Sequence, residues 1–144
     1  MVSALSLSIA QRLVRKLCPE CKVEKELNNA EKDILKKIMD SIKEEGKNLE
    51  NYKIDPSAPI KVYGPKGCTV CNMIGYKGRL GIFEAIKTDE AIEKIIPENP
   101  SEREIKKVAK HQGILSMRQD GVVKVIHGIT SLEEVENVVD LFEE

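Results

Sequence analysis

Two pairs of cysteines with the same internal spacing, Cys18-Pro19-Glu20-Cys21 and Cys68-Thr69-Val70-Cys71, are the residues of this chain best suited to do chemistry. Each pair forms a tight turn that presents both sulfurs on one side. Two such turns facing each other make a closed tetrahedron of thiolates at about 2.3 Å from a zinc ion. A closed site leaves no position for a reactive water, so the spacing predicts one structural zinc held by Cys18, Cys21, Cys68 and Cys71 and not a catalytic one. Gly67 and Gly75, on either side of the second pair, allow the backbone to turn tightly there. The alternative is redox chemistry, because Cys-Pro-x-Cys is also found at the start of a helix in disulfide oxidoreductases. The βαβ setting of such a motif is missing around Cys18, which favours the metal. His111 and His127 lie in helical stretches far from both pairs and are expected to be surface or cap residues.

No other constellation in the sequence carries chemistry. There is no Gly-x-x-x-x-Gly-Lys-Ser/Thr phosphate loop, no His-Glu-x-x-His and no Gly-x-Ser-x-Gly, and Gly64-Pro65-Lys66-Gly67 reads only as a turn. A chain of 144 residues with 41% hydrophobic residues suffices for a modest core. Its 33% charged residues balance to a net charge of −1, so both signs are interspersed and no global attraction to nucleic acid is implied. The longest apolar stretches fall short of the roughly 20 residues that cross a bilayer. A secretory signal is not expected either, and the composition is that of a cytoplasmic protein.

The elements that must position the cysteines can be read from periodicity and capping signals. Leu5, Ile9, Leu13 and Leu17 recur at every fourth position, which predicts a helix running into Cys18 with Arg12, Arg15 and Lys16 in its last turns. That stripe begins with no polar lead, so the chain is expected to be part of a longer one. A second helix over about 30–45, capped at Asn28 or Asn29 and ended by Gly46, is predicted to bury Ile34, Leu35, Ile38 and Ile42. Residues 48–59 read as a loop, and 60–63 and 79–86 as short strands. Downstream, Thr88 or Asp89 opens a short helix. Ser101 with Glu104, Ser116 with Gln119 and Thr130 with Glu133 match the capping box, and Gly113 and Gly128 mark stops. The last helix is expected to bury Leu132, Val135, Val139 and Phe142. The fold class predicted from these signals is mainly α, a small helical bundle with a four-cysteine zinc knuckle and one or two short β-strands. It divides into a helix at 1–17, a tetracysteine region with a helical insert at 18–87, and a C-terminal helical region at 88–144.

Residues 10–21, Gly67 to Cys71 and the run Gly75-Tyr76-Lys77-Gly78-Arg79-Leu80-Gly81-Ile82-Phe83-Glu84 together resemble the C-terminal part of the hexameric ATPases that drive type II secretion and type IV pilus assembly. Gly113 to Met117, Asp120-Gly121 and Gly128 to Val135 match the end of that family in the same order. Met73-Ile74, where the family has a more polar turn, and the charged insert between the cysteine pairs are departures. The family's phosphate loop, magnesium-binding acidic motif and histidine motif would lie upstream of residue 1. The resemblance therefore implies a zinc-stabilised coupling and assembly domain that does not hydrolyse ATP by itself, with ATP and magnesium used only by the parent. It further implies a helix at 1–17 that continues from a nucleotide-binding domain, and a parent that is peripheral at the inner membrane. Implied partners are that domain, neighbouring subunits and an inner-membrane platform protein, with no nucleic acid. Arg79, and less directly Arg12 and Arg15, are the candidates for contact with the nucleotide domain, although each also fits a solvated surface charge. The rival from another class is a zinc-ribbon nucleic-acid-binding module, motivated by Lys61, Tyr63, Lys66, Tyr76, Lys77 and Arg79 around the metal.

Overall fold

The computed structural model describes residues 4–141. Its elements in chain order are β1 (Leu7–Leu17), β2 (Val23–Lys25), α1 (Asn29–Glu44), β3 (Val62–Gly64), β4 (Tyr76–Lys87), α2 (Glu90–Ile95), α3 (Glu102–Ala109), α4 (Met117–Ile126) and α5 (Leu132–Glu136). Among the described residues 43% are helical, counting 3-10 turns, and 21% are strand, with five α-helices and two small sheets, so the fold is mixed and not clearly mainly α. The largest correction falls on the N-terminal segment, where the expected helix is the strand β1. A four-residue repeat is also a multiple of the strand period of two, and Leu5, Leu7, Ile9, Leu13 and Leu17 are all odd-numbered. Pairing decides between the readings, because β1 lies antiparallel to β4 from Leu7↔Lys87 to Arg15↔Arg79 and resumes at Leu17↔Tyr76 after a bulge. Residues 1–3 of the expected helix lie outside the described residues.

The two ladders are nested. β2 pairs antiparallel with β3, Val23 opposite Gly64, inside the β1–β4 ribbon. Both Cys-x-x-Cys turns therefore sit at the same end, the first between β1 and β2 and the second between β3 and β4. The insert carrying α1 is simply the long connection from β2 to β3. Asn28 and Glu31 close a capping box at the start of α1, and Gly46 leaves its end with a φ of 72° that glycine takes without strain.

The apolar core lies between α1, α4, α5 and β3, where Leu35, Ile42, Val62, Val122, Val125 and Val135 are almost completely buried. One polar clasp crosses it: buried Lys47 donates to Glu45 at 2.5 Å and to Gln119 at 2.7 Å, joining the end of α1 to α4. The capping boxes at Ser101 and Ser116 form as the sequence predicts. For α5 the cap is one residue later than expected, since Ser131, and not Thr130, accepts from the Glu134 amide. Leu132 and Val135 are buried and Val139 packs against the core, whereas the expected burial of Phe142 lies outside the described residues.

Candidate metal centre

The first cysteine pair is delivered by β1. The Cys18 amide donates to the Gly75 carbonyl at 2.9 Å and that of Leu17 to Ile129 at 2.9 Å, so the strand ends pinned between the second knuckle and the loop before α5. The second pair sits in a single 3-10 turn, Thr69–Cys71. Glycine is required beside it: a β-carbon on Gly75 would come within 2.4 Å of Pro65, and one on Gly67 within 2.7 Å of the Met73 carbonyl oxygen.

All four sulfurs lie within 4.8 Å of one another. The distances from Cys18 to Cys68, Cys21 to Cys71 and Cys68 to Cys71 are 3.9, 3.8 and 3.7 Å. The edge of a thiolate tetrahedron around zinc is about 3.8 Å for bonds of about 2.3 Å, so the set fits a four-coordinate ion. It does not fit disulfides, and all four cysteines are free. The Cys71 sulfur also accepts backbone N–H groups of Cys68 and Gly75, each at 3.2 Å. Burial works to raise the Cys71 thiol, yet those two amides and the Cys68 and Cys21 thiols outweigh it and bring it down to about 6. Burial, reinforced by the other three thiols against an opposing interaction with the Gly67 backbone, pushes Cys21 up to about 11. A central cation would favour the thiolate form of all four sulfurs.

The arginines occupy different environments. Arg15 donates from its backbone amide and from its guanidinium to the Glu134 carboxylate, at 2.9 Å and 2.6 Å, and its guanidinium stacks 4.3 Å from the Tyr76 ring. Its hydrogen bond to Glu134 comes first among the causes that raise its pKa and, in return, lower that of Glu134. Arg79, exposed opposite Arg15, makes no hydrogen bond or ion pair among the described residues, and Arg12 reaches only the Gln11 carbonyl at 3.3 Å. His111 is exposed, with Nε2 2.8 Å from Asp89 and Nδ1 2.6 Å from the Val108 carbonyl, and His127 caps α4 while bonding to Tyr52.

Several residues that hold the ribbon in place were not singled out as functional from the sequence. Thr130 donates to the Arg15 carbonyl at 2.8 Å, next to the Glu134 contact, so the loop and helix 130–136 grip one edge of β1. On the opposite edge of the ribbon Asp120 accepts the Phe83 amide at 2.8 Å and Lys124 donates to the Gly81 carbonyl at 2.8 Å. The signal was present: Asp120-Gly121 and the run to Glu134 belong to the motifs that carry the family resemblance.

The nucleic-acid alternative is not favoured. Neither tyrosine beside the metal centre is free to stack on a base, because Tyr76 lies under Arg15 and bonds Ser131 at 2.9 Å, and Tyr63 lies under Lys22. Lys61 is paired with Glu24.

A nested ribbon closing on four sulfurs, with the Asp120-Gly121 and 128–135 motifs clamped onto it, is the arrangement in which comparison with known proteins becomes informative. The model of the family of type II/IV secretion system proteins matches residues 1–137, and the chain belongs to that family. It is 39% identical over 134 residues to the type IV pilus assembly ATPase TfpB of Acinetobacter baylyi, covering 92% of this chain and 20% of that protein. The type IV pilus assembly ATPase PilB of Pseudomonas aeruginosa is 38% identical over 138 residues, 96% of this chain and 22% of the relative. The type II secretion system ATPase E of Vibrio cholerae is 38% identical over 130 residues, 90% and 22% respectively. The chain thus spans about a fifth of the length of these relatives. None of its described helices is long and apolar enough to cross a membrane.

Proposed function

We propose that the chain is the zinc-stabilised coupling and assembly domain of a secretion or type IV pilus motor, which uses ATP and magnesium only through its parent's nucleotide-binding domain. The observation that carries this reading is the outer face of the β1–β4 ribbon. Leu7, Ile9, Leu13 and Phe83 share that face and are 47, 61, 52 and 44% exposed. Along the same stretch the outward amide and carbonyl groups of Leu7, Ile9 and Leu13 take no partner among the described residues. A solvated apolar face beside an open strand edge is a surface that proteins ordinarily bury.

Relatives named as ATPases, of which this chain matches only a fifth, support a nucleotide-binding domain as the element that covers it. Arg79, with the exposed half of the Arg15 side chain, then stands on that same face, where a guanidinium can bridge to carboxylate or phosphate groups, whereas Arg12, opposite Ile82, alternates to the other face of the ribbon and is the weaker candidate. The zinc ion, held by Cys18, Cys21, Cys68 and Cys71, keeps the ribbon end rigid so that motion of the nucleotide domain is passed on. In this reading the parent is cytoplasmic and peripheral at the inner membrane. Its further partners are neighbouring subunits and an inner-membrane platform protein.

The test is a chimera in which this chain replaces the matching fifth of the Pseudomonas PilB protein. Ile9→Asp with Leu13→Asp is expected to abolish ATP hydrolysis by the chimera while the isolated chain keeps its metal content and melting temperature. Undiminished turnover in that double variant would falsify the docking role of the ribbon.

A further inference from the structure

The turn that carries the second cysteine pair has an outer surface that the metal site does not use. Val70, Met73 and Ile74 are 50, 69 and 57% exposed, so three large apolar side chains project from one short loop. Asn72 and Met73 both have left-handed backbone conformations, with φ of 52° and 62°. Such a conformation is costly for a residue like Met73 that has a long side chain and no local polar compensation. It is nonetheless held firmly: the Met73 amide donates to the Cys68 carbonyl at 2.8 Å and the Ile74 amide to the Cys71 carbonyl at 3.1 Å. The site thus maintains an apolar point in water at the expense of backbone strain, a pattern that points to use.

The charged side chains on the segments around that point are basic, set against the two net negative charges of four thiolates on one Zn2+ beneath them. Between Asp55 and Glu84 the chain has Lys61, Lys66, Lys77 and Arg79 and not a single acidic residue. The backbone of Pro65 and Lys66 runs alongside Gly75, and the Lys16 side chain comes up to Gly78, so Lys16, Lys66 and Lys77 lie on segments that adjoin the knuckle. None of the three makes an ion pair among the described residues. Glu20, exposed on the first knuckle, is the nearest opposing charge in the sequence. The protein as a whole carries −1, and four thiolates around one Zn2+ make the loaded chain more negative by two charges, so attraction to anions must come from local cations at this end.

We propose that loop 69–74 is the point at which the domain touches an anionic bilayer, with Val70, Met73 and Ile74 entering the lipid interface and Lys16, Lys66 and Lys77 meeting headgroup phosphates. Three side chains on one turn present far less than the roughly 800 Å² that each partner gives to a stable protein interface. The loop also lacks the aromatic anchor that commonly dominates such interfaces. A bilayer requires no matching pocket. It rewards apolar insertion and adds attraction for each cation near its surface. Because the loop is already rigid, contact costs little further ordering. This inference is independent of the motor reading, and its readout does not involve ATP.

The experiment is co-sedimentation of the zinc-loaded chain at low salt with vesicles of phosphatidylcholine, or of equal parts phosphatidylcholine and phosphatidylglycerol. Retention on the anionic vesicles alone is expected. Met73→Asn with Ile74→Ser should lower that partitioning by about tenfold, since less apolar surface enters the interface. Asparagine tolerates the left-handed backbone, so this variant keeps its fold, which metal content and the charge-transfer spectrum of the cobalt-substituted protein will verify. Lys66→Gln with Lys77→Gln should remove the preference for anionic lipid. The proposal is overturned if the parent chain stays in solution with anionic vesicles, which assigns the tip to a protein groove, or if Met73→Asn with Ile74→Ser sediments like the parent.

Discussion

Gly121 stands in the middle of α4, where alanine would ordinarily stabilise a helix by about 0.5–1 kcal/mol. Its backbone is not among the positive-φ positions, so no strain opposes the replacement. Packing does. A β-carbon at Gly121 would lie 2.7 Å from Cγ1 of Val135 and 3.5 Å from Cγ2, and Val135 on α5 is completely buried. A valine in a helix has essentially one side-chain rotamer, so it cannot swing aside, and α5 would have to move away from α4. Overpacking of this kind costs about 1–3 kcal/mol, which exceeds the helix-propensity gain. Gly121→Ala is therefore expected to destabilise the chain by about 1 kcal/mol net, lowering Tm by about 3 °C for a chain of this size. The decisive comparison is the background. Val135→Ala costs about 2 kcal/mol through the lost methyl groups and the cavity they leave. In that variant the same Gly121→Ala change meets only the remaining β-carbon at position 135, 3.7 Å away and in ordinary van der Waals contact, and is expected to stabilise by about 0.5–1 kcal/mol. Urea unfolding followed by circular dichroism at saturating zinc would give all four corners of the cycle. If Gly121→Ala stabilises the parent chain as much as it stabilises Val135→Ala, then the close approach of α4 and α5 is not what requires glycine in the Asp120-Gly121 motif.

The metal centre should contain one zinc per chain when the protein is purified without added metal, and Cys68→Ser should abolish tight binding and lower Tm, as measured by metal analysis and calorimetry. Structural zinc contributes about 10 kcal/mol or more of folding free energy in small zinc domains, so an unchanged melting curve would rule out the staple. The Asp89 carboxylate and the Val108 carbonyl flank both ring nitrogens of His111 and hold its pKa above the ordinary 6.5, with the backbone bond the larger cause. The sign follows from protonation of the folded state: this contribution to stability is fully present below the unfolded pKa and is lost as pH rises through the raised folded value. In Asp89→Asn, which keeps the cap on α2, the His111 titration followed by NMR should move back toward 6.5, and an unmoved midpoint would contradict the pairing. Glu134, whose pKa is lowered first by its hydrogen bond to Arg15, contributes in the opposite direction: its part is present above the unfolded pKa and disappears as pH falls through the folded one. Glu134→Gln should cost about 1 kcal/mol at neutral pH, a value discounted for the half-exposed Arg15, and almost nothing in acid, as measured by urea unfolding across pH.

The residues that needed no tertiary information were those whose chemistry is local. Cys18, Cys21, Cys68 and Cys71 are recognisable from residue type and spacing alone as a set that could hold a metal ion, because a two-residue gap sets the turn. The capping boxes at Asn28, Ser101 and Ser116 involve only backbone and side chains within one turn, so they too are written in the sequence. Residues 7–17 show where this stops. Their apolar spacing is compatible with a helix and with a strand, and only the antiparallel partner far downstream, Tyr76–Lys87, supplies the hydrogen bonds that make it β1. The same distance hid the roles of Glu134 and Asp120, which read as helix-surface charge until folding placed one on the edge of β1 and the other on the edge of β4. Arg15 and Arg79 are neighbours across one ladder, yet Arg15 is held by Glu134 and Tyr76 whereas Arg79 points into solvent. Sequence determines which side chains can bind a metal, cap a helix or bridge an anion; which of them is already engaged depends on contacts between distant segments, and the tertiary structure alone decides those.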